Sequence, residues 1–156
     1  MSHKLLWWLF IAVVAISFAV LGFYGVRLYQ EAPPIPDKVV TDDGRLLFTG
    51  QEIRDGQNVW QSTGGQQLGS IWGHGAYVAP DWTADWVHRA SVFLLDRWAR
   101  EEFGSRYEEL PAERQAQLRA RLQERIRQNR YDAETGTLTV SAERAEAIAS
   151  NTRHYS

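Results

Sequence analysis

A chain of 156 residues with a formal net charge of −2 and 23% charged residues has room for one modest domain once an apolar segment is set aside. It carries no positive excess with which to hold nucleic acid. Cysteine is absent, which excludes disulfides, thiolate metal sites, a cysteine nucleophile and haem attached through thioether bonds.

Residues 1–4 read as a short cytoplasmic tail. From Leu5 to Val26 no residue is charged, and the run is long enough to cross a hydrocarbon core that needs roughly 20 helical residues. A transmembrane helix over 5–29 is the reading. Trp7 and Trp8 at one end and Tyr24 and Tyr29 at the other suit the two interfaces, and Lys4 and Arg27 bracket the span. A cleaved signal peptide would have a shorter apolar region ending in small residues, and neither feature is present. A tail this short stays in the cytoplasm while the following domain is translocated. The chain is therefore expected to cross a bacterial inner membrane once, with the lipid bilayer as a partner and its C-terminal domain in the periplasm.

Residues 30–37, with Pro33, Pro34 and Pro36, form a stiff linker that cannot extend the helix. The extracytoplasmic domain occupies 38–156. Residues 38–40 and 46–48 flank an Asp-Asp-Gly turn at 42–44 and predict a small β-hairpin. Thr49 and Glu52 match a capping box, so a helix follows over 50–62, with Ile53, Gly56, Val59 and Trp60 near one face. Glycines 64, 65, 69, 73 and 75 then break all periodicity, and 63–80 reads as a folded loop with close backbone approaches.

The most apolar helix of the domain starts near Thr83 and stops at Gly104. Trp86, Ala90, Phe93, Leu94 and Trp98 mark its core face, widened by Val87 and Leu95. Pro111 fits the first position of a helix running to about Gln128, whose apolar stripe is Leu118, Leu122 and Ile126. Arg114, Arg119, Arg121, Arg125, Arg127 and Arg130 cover its remainder. They could dock an acidic partner or lipid headgroups, but a solvated helix face is the plainer reading. A short strand at 137–140 precedes a final helix capped by Ser141 and ending near Ser150. The fold class is mainly α.

Residues able to carry chemistry are few. His74 and His88 are the only histidines well inside the folded region, too few for a metal site that wants three or four converging ligands. Asp81 and Asp85 could add carboxylates, although Asp85 is better explained as an acid in a first helical turn. His74 and His88 are also the one conceivable axial pair for a non-covalent haem, since Met1 is the only methionine. No nucleophile elbow, Walker loop or dinucleotide fingerprint is present. The adjacent acids Glu101-Glu102 and Glu108-Glu109 look like surface. Trp60, Trp72, Trp82, Trp86 and Trp98 are read as core filling rather than a stacking platform. The chain is thus expected to hold no catalytic residue, no metal and no cofactor of its own.

Asp55-Gly-Gln-Asn-Val-Trp60 followed by Gly73-His-Gly-Ala-Tyr-Val-Ala-Pro-Asp-Trp82 resembles the N-terminal region of single-chain, quinol-dependent nitric oxide reductases. The resemblance covers nearly the whole chain and is most specific over 57–82. It implies a first transmembrane helix leading into a periplasmic domain folded like a cytochrome c but without haem. The same stretch is similar to the cytochrome c subunit of the two-subunit reductases, which has Cys-x-x-Cys-His before its Gly-x-Gly-Ala-Tyr segment. Counted back from Gly73, those cysteines fall on Gly65 and Leu68 and the histidine on Gly69, so all three attachment residues are replaced.

The resemblance further implies that haem b and non-haem iron belong to a catalytic core on later transmembrane helices, which these 156 residues lack. The core would be a partner in cis or in trans, and the chain a truncated or split product or the beginning of a longer one. Gln57, Trp60, Gly73, Gly75, Tyr77, Pro80, Asp81 and Trp82 are then expected to serve as structural and docking positions. Two other readings stay open: an electron carrier with a non-covalent haem between His74 and His88, and an unrelated anchored periplasmic scaffold.

Overall fold

The structure, a computed structural model, describes residues 2–31, 33–76 and 78–156. The chain divides into two units, Met1–Pro34 and Ile35–Ser156. The first is built on helix α1 (His3–Gln30), whose N-terminus is capped by the Ser2 hydroxyl accepting from the Leu5 amide at 3.4 Å. At 28 residues it is about 42 Å long, more than a bilayer core requires. Its best window has a mean hydropathy of 2.5, and protein buries none of its residues. A helix apolar on every side is suited to lipid. Among the described residues it is the one helix long and apolar enough to cross a membrane.

The second unit opens with the expected hairpin, β1 (Lys38–Thr41) and β2 (Leu46–Thr49), turned by Gly44 at φ +82°. Helix α2 (Gly50–Ser62) follows directly. Its capping box is formed on both sides: the Glu52 amide donates to the Thr49 hydroxyl at 3.2 Å, and the Thr49 amide donates to the Glu52 carboxylate at 2.7 Å. The sheet extends beyond the hairpin. β6 (Thr137–Val140) lies parallel to β1, and β5 (Tyr131–Asp132) lies antiparallel to β6, giving the order β2-β1-β6-β5. The Asp37 amide donates to the Gly136 carbonyl at 2.8 Å. Gly136 sits at φ +60°, and a Cβ there would fall 2.3 Å from the Asp37 carboxylate, so the turn that brings β6 to β1 needs a glycine.

Three further helices make the core. α4 (Trp82–Phe103) ends at Gly104 in the left-handed conformation, as its sequence predicts. α5 (Ala112–Arg127) and α6 (Ala142–Tyr155) pack against it. Leu94, Leu95, Trp98, Ala99, Leu110, Leu118 and Ala147 form the main cluster. Val39, Val140 and Ala145 form a second cluster over the sheet. α6 joins both through Ala147 and Ala145, so it binds sheet to helices.

Several expectations change in detail. α6 continues past Ser150 to Tyr155 because its last turns are held by α4: the buried Asn151 side chain donates to the Trp86 carbonyl at 2.9 Å, and Tyr155 stacks on Trp86 with centroids 5.7 Å apart. Pro111 occupies the cap position of α5, one residue before the first helical one. Val87 is exposed, outside the core face. Part of the arginine stripe on α5 folds back onto its own domain. Arg121 lies over the Trp98 ring at 4.2 Å and pairs with Glu102 and Glu143, and Arg114 lies over Phe103 at 4.6 Å.

Candidate functional site

The glycine-rich segment between α2 and α4 is a built structure. Gly64 at φ +73° starts the single turn α3 (Gly65–Leu68), and a ribbon of β3 (Ser70–Ile71) and β4 (His74–Gly75) follows. Two aromatic rings close on it. Trp60 from α2 and Trp82 from α4 meet edge to face at 6.4 Å, and Tyr155 meets Trp82 edge to face at 6.2 Å. Such pairs favour this geometry because ring edges are electropositive and faces electronegative. A Cβ on Gly65 would fall 2.3 Å from the Trp60 ring, and one on Gly69 would fall 2.0 Å from Trp82 Nε1. No side chain other than hydrogen fits at either position without moving an indole.

Backbone bonds close the segment on itself. The Ser70 amide donates to the Pro80 carbonyl at 3.0 Å, and the Ala76 amide to the Gln66 carbonyl at 3.0 Å. Gly75 at φ +142° would place a Cβ 2.3 Å from the Gly69 carbonyl oxygen. The Asp81 carboxylate is the hub: it accepts from the Ser70 hydroxyl at 2.7 Å, the Gly73 amide at 2.9 Å and the Ala84 amide at 2.8 Å, the last capping α4. The Ser70 hydroxyl first, then the Ala84 and Gly73 amides, hold its carboxyl below the ordinary value of 3.8. Asp81 is the N-cap of α4 and ties the ribbon to it. Asp85 accepts from the Tyr155 phenol, and from Arg89 at 2.7 Å. These two bonds, Tyr155's first, lower its pKa.

Gln57 and Trp60 line an open hollow of about 530 Å³ together with Gln61, Gln66, Ile71 and His74. His88, exposed on α4, is not among its lining residues. Tyr77 lies outside the described residues. The structure thus brings Trp60, Gly73, Gly75, Pro80, Asp81 and Trp82 into one assembly and leaves His74 and His88 both facing solvent. Trp72 departs from the expectation of a core tryptophan. It is 79% exposed and is a non-glycine residue at φ +54°, a conformation that stores backbone strain. Its amide donates to the Thr83 hydroxyl at 3.0 Å. Leu68 and Val78 on the same segment are exposed as well. Sequence patterning gives no sign of these three, because no periodicity runs through a glycine-rich loop.

A family model for the cytochrome c-like domain of NorB-type nitric oxide reductase matches residues 36–156. The chain belongs to this family. None of the curated proteins compared matches it. The name of the family raises the question of a c-type haem, and the residues present do not fit one. Gly65, Leu68 and Gly69 stand where attachment residues would be counted, and the Trp60 and Trp82 indoles occupy the space that side chains at 65 and 69 would need.

Proposed function

We propose that this chain is the membrane-anchored, haem-free cytochrome c-like part of a quinol-dependent nitric oxide reductase, and that its folded unit docks on the periplasmic face of the catalytic core. Residues 1–4 remain in the cytoplasm, residues 5–29 within α1 span the bilayer, residues 30–37 act as the spacer, and 38–156 form the periplasmic module. Haem b and non-haem iron reside in the core, together with the quinol site, and electrons do not pass through the module. Gln57, Trp60, Gly73, Gly75, Tyr77, Pro80, Asp81 and Trp82 shape the docking end, and Leu68, Trp72 and Val78 supply apolar contacts.

The observation that carries this reading is the pairing of a closed interior with an open exterior on one segment. Indoles shut the space beside Gly65 and Gly69, while Leu68, Trp72 and Val78 face solvent. An exposed tryptophan on a segment that also exposes Leu68 and Val78 supplies the residue types of an interaction hot spot. The test is to solubilise native membranes gently and recover the protein with an antibody raised against residues 37–156. Recovered haem b on a polypeptide several times heavier than 17.9 kDa means the core is in cis. Haem b on a separate chain, released by Trp72→Ala, means it is in trans. A 17.9 kDa band that brings no haem b rejects the proposal.

A further inference from the structure

Residues of α4, α5 and α6, with the segment that leads into β5, enclose a narrow cavity of about 20 Å³, whose lining includes Trp98, Arg125, Gln128, Arg130, Glu143 and Arg144. That volume admits one water-sized group. The lining is rich in N–H donors and poor in acceptors. Glu143, its one carboxylate, also faces Arg121 on α5 at 3.7 Å. Arg130 is paired with Asp42 at 2.5 Å. Arg125 and Arg144 make no ion pair among the described residues.

Arg144 is placed against its own electrostatics. It sits in the first turn of α6, where the helix dipole is positive and favours anions. Burial first, and then the charge of Arg130, disfavour its cationic form. A second observation is independent of charge. Trp98 is 1% exposed, and its indole N–H has no hydrogen-bond partner among the described residues. Buried donors are normally satisfied by protein, water or ligand, and Trp98 lines this same cavity.

We propose that the cavity is an oxyanion site for a phosphate group, with one oxygen entering beside Trp98 and Arg144 and the others held at the mouth by Arg125, Arg130 and Gln128. Arg125 and Arg144, without an ion pair among the described residues, outnumber the one lining carboxylate, Glu143, while Arg130 is shared with Asp42; this excess favours an anion, and guanidinium forks match the geometry of a phosphate. The phosphate group has two sources, free inorganic phosphate and an anionic lipid headgroup.

The full chain, labelled with ¹⁵N and held in an uncharged detergent, is titrated with inorganic phosphate against chloride at equal ionic strength while the Trp98 indole N–H resonance is followed. A parallel arm places it in phosphatidylcholine nanodiscs with and without phosphatidylglycerol. The expected result is a saturable shift with phosphate, weakened about tenfold or more by Arg144→Gln and unaffected by Arg100→Gln, an exposed arginine lining a different hollow. A shift that appears only with phosphatidylglycerol and is lost in Arg144→Gln identifies the lipid as the source. Should Arg144→Gln fail to fold, Arg125→Gln gives the same reading. No shift in either arm, or a shift in the Arg144→Gln and Arg125→Gln variants equal to that of the wild type, overturns the proposal.

Discussion

Around Trp98 the folded unit is held by side chains: Leu94, Leu95, Leu118 and Ala147 share its cluster, and Arg121 covers the indole face. Around Gly69 it needs the absence of side chains: backbone bonds and the Asp81 carboxylate hold the segment, and the Trp82 ring lies where a Cβ would be. The first arrangement loses stability when atoms are removed and the second when atoms are added. A fold can therefore keep a close-packed end that leaves no room for added side chains while its stability is set elsewhere, and this separation suits the docking role proposed above.

The widest separation between the two regions comes from Trp98→Ala, expected to cost about 3–5 kcal/mol and to lower the cooperative melting of the whole folded unit, read by circular dichroism. Gly69→Ala should cost less, about 1–3 kcal/mol, and act locally. Amides of residues 65–76, 78, 79 and 81 should lose protection from hydrogen exchange while the centre of α4 keeps it; equal loss in both would show that the two regions are one. Asp81→Ala removes a helix cap, about 0.5–2 kcal/mol, and adds a pH signature. A carboxyl held below its ordinary 3.8 contributes stability that is present above that value and is lost as pH falls through the lowered one. Wild-type protection of the segment should fade on acidification below about pH 4, and the Asp81→Ala variant should lack that part of the pH dependence. Smallest is Glu146→Gln, which removes the exposed partner of Arg97 and should change stability by no more than about 1 kcal/mol.

What the sequence made legible follows the range of the signals. The capping box at Thr49 and Glu52, the turn at Gly44, the Ser141 cap and the stop at Gly104 each lie within a few residues of the structure they specify, and the elements they bound appear as read. The close approaches between 63 and 80 were legible as a need for glycine, although not as a need created by Trp60 and Trp82. The parallel pairing of β1 with β6 was not legible, because Lys38 meets Thr137 from the far end of the domain and neither strand carries a mark of its partner. α6 outruns its expected end for a similar reason: Asn151 and Tyr155 are fixed by Trp86 on another helix. Trp72 misled because a tryptophan in a small domain is usually buried, and nothing local announces a strained, exposed one.

That the folded unit binds no haem is the central proposal, and an absorption spectrum of the purified full chain after haem supplementation tests it most directly. No stoichiometric Soret band is expected, since Trp60 and Trp82 occupy the space beside Gly65 and Gly69 and His74 and His88 face solvent. One haem per chain, with a Soret band lost in His74→Ala or His88→Ala, would contradict the claim and make the protein an electron carrier.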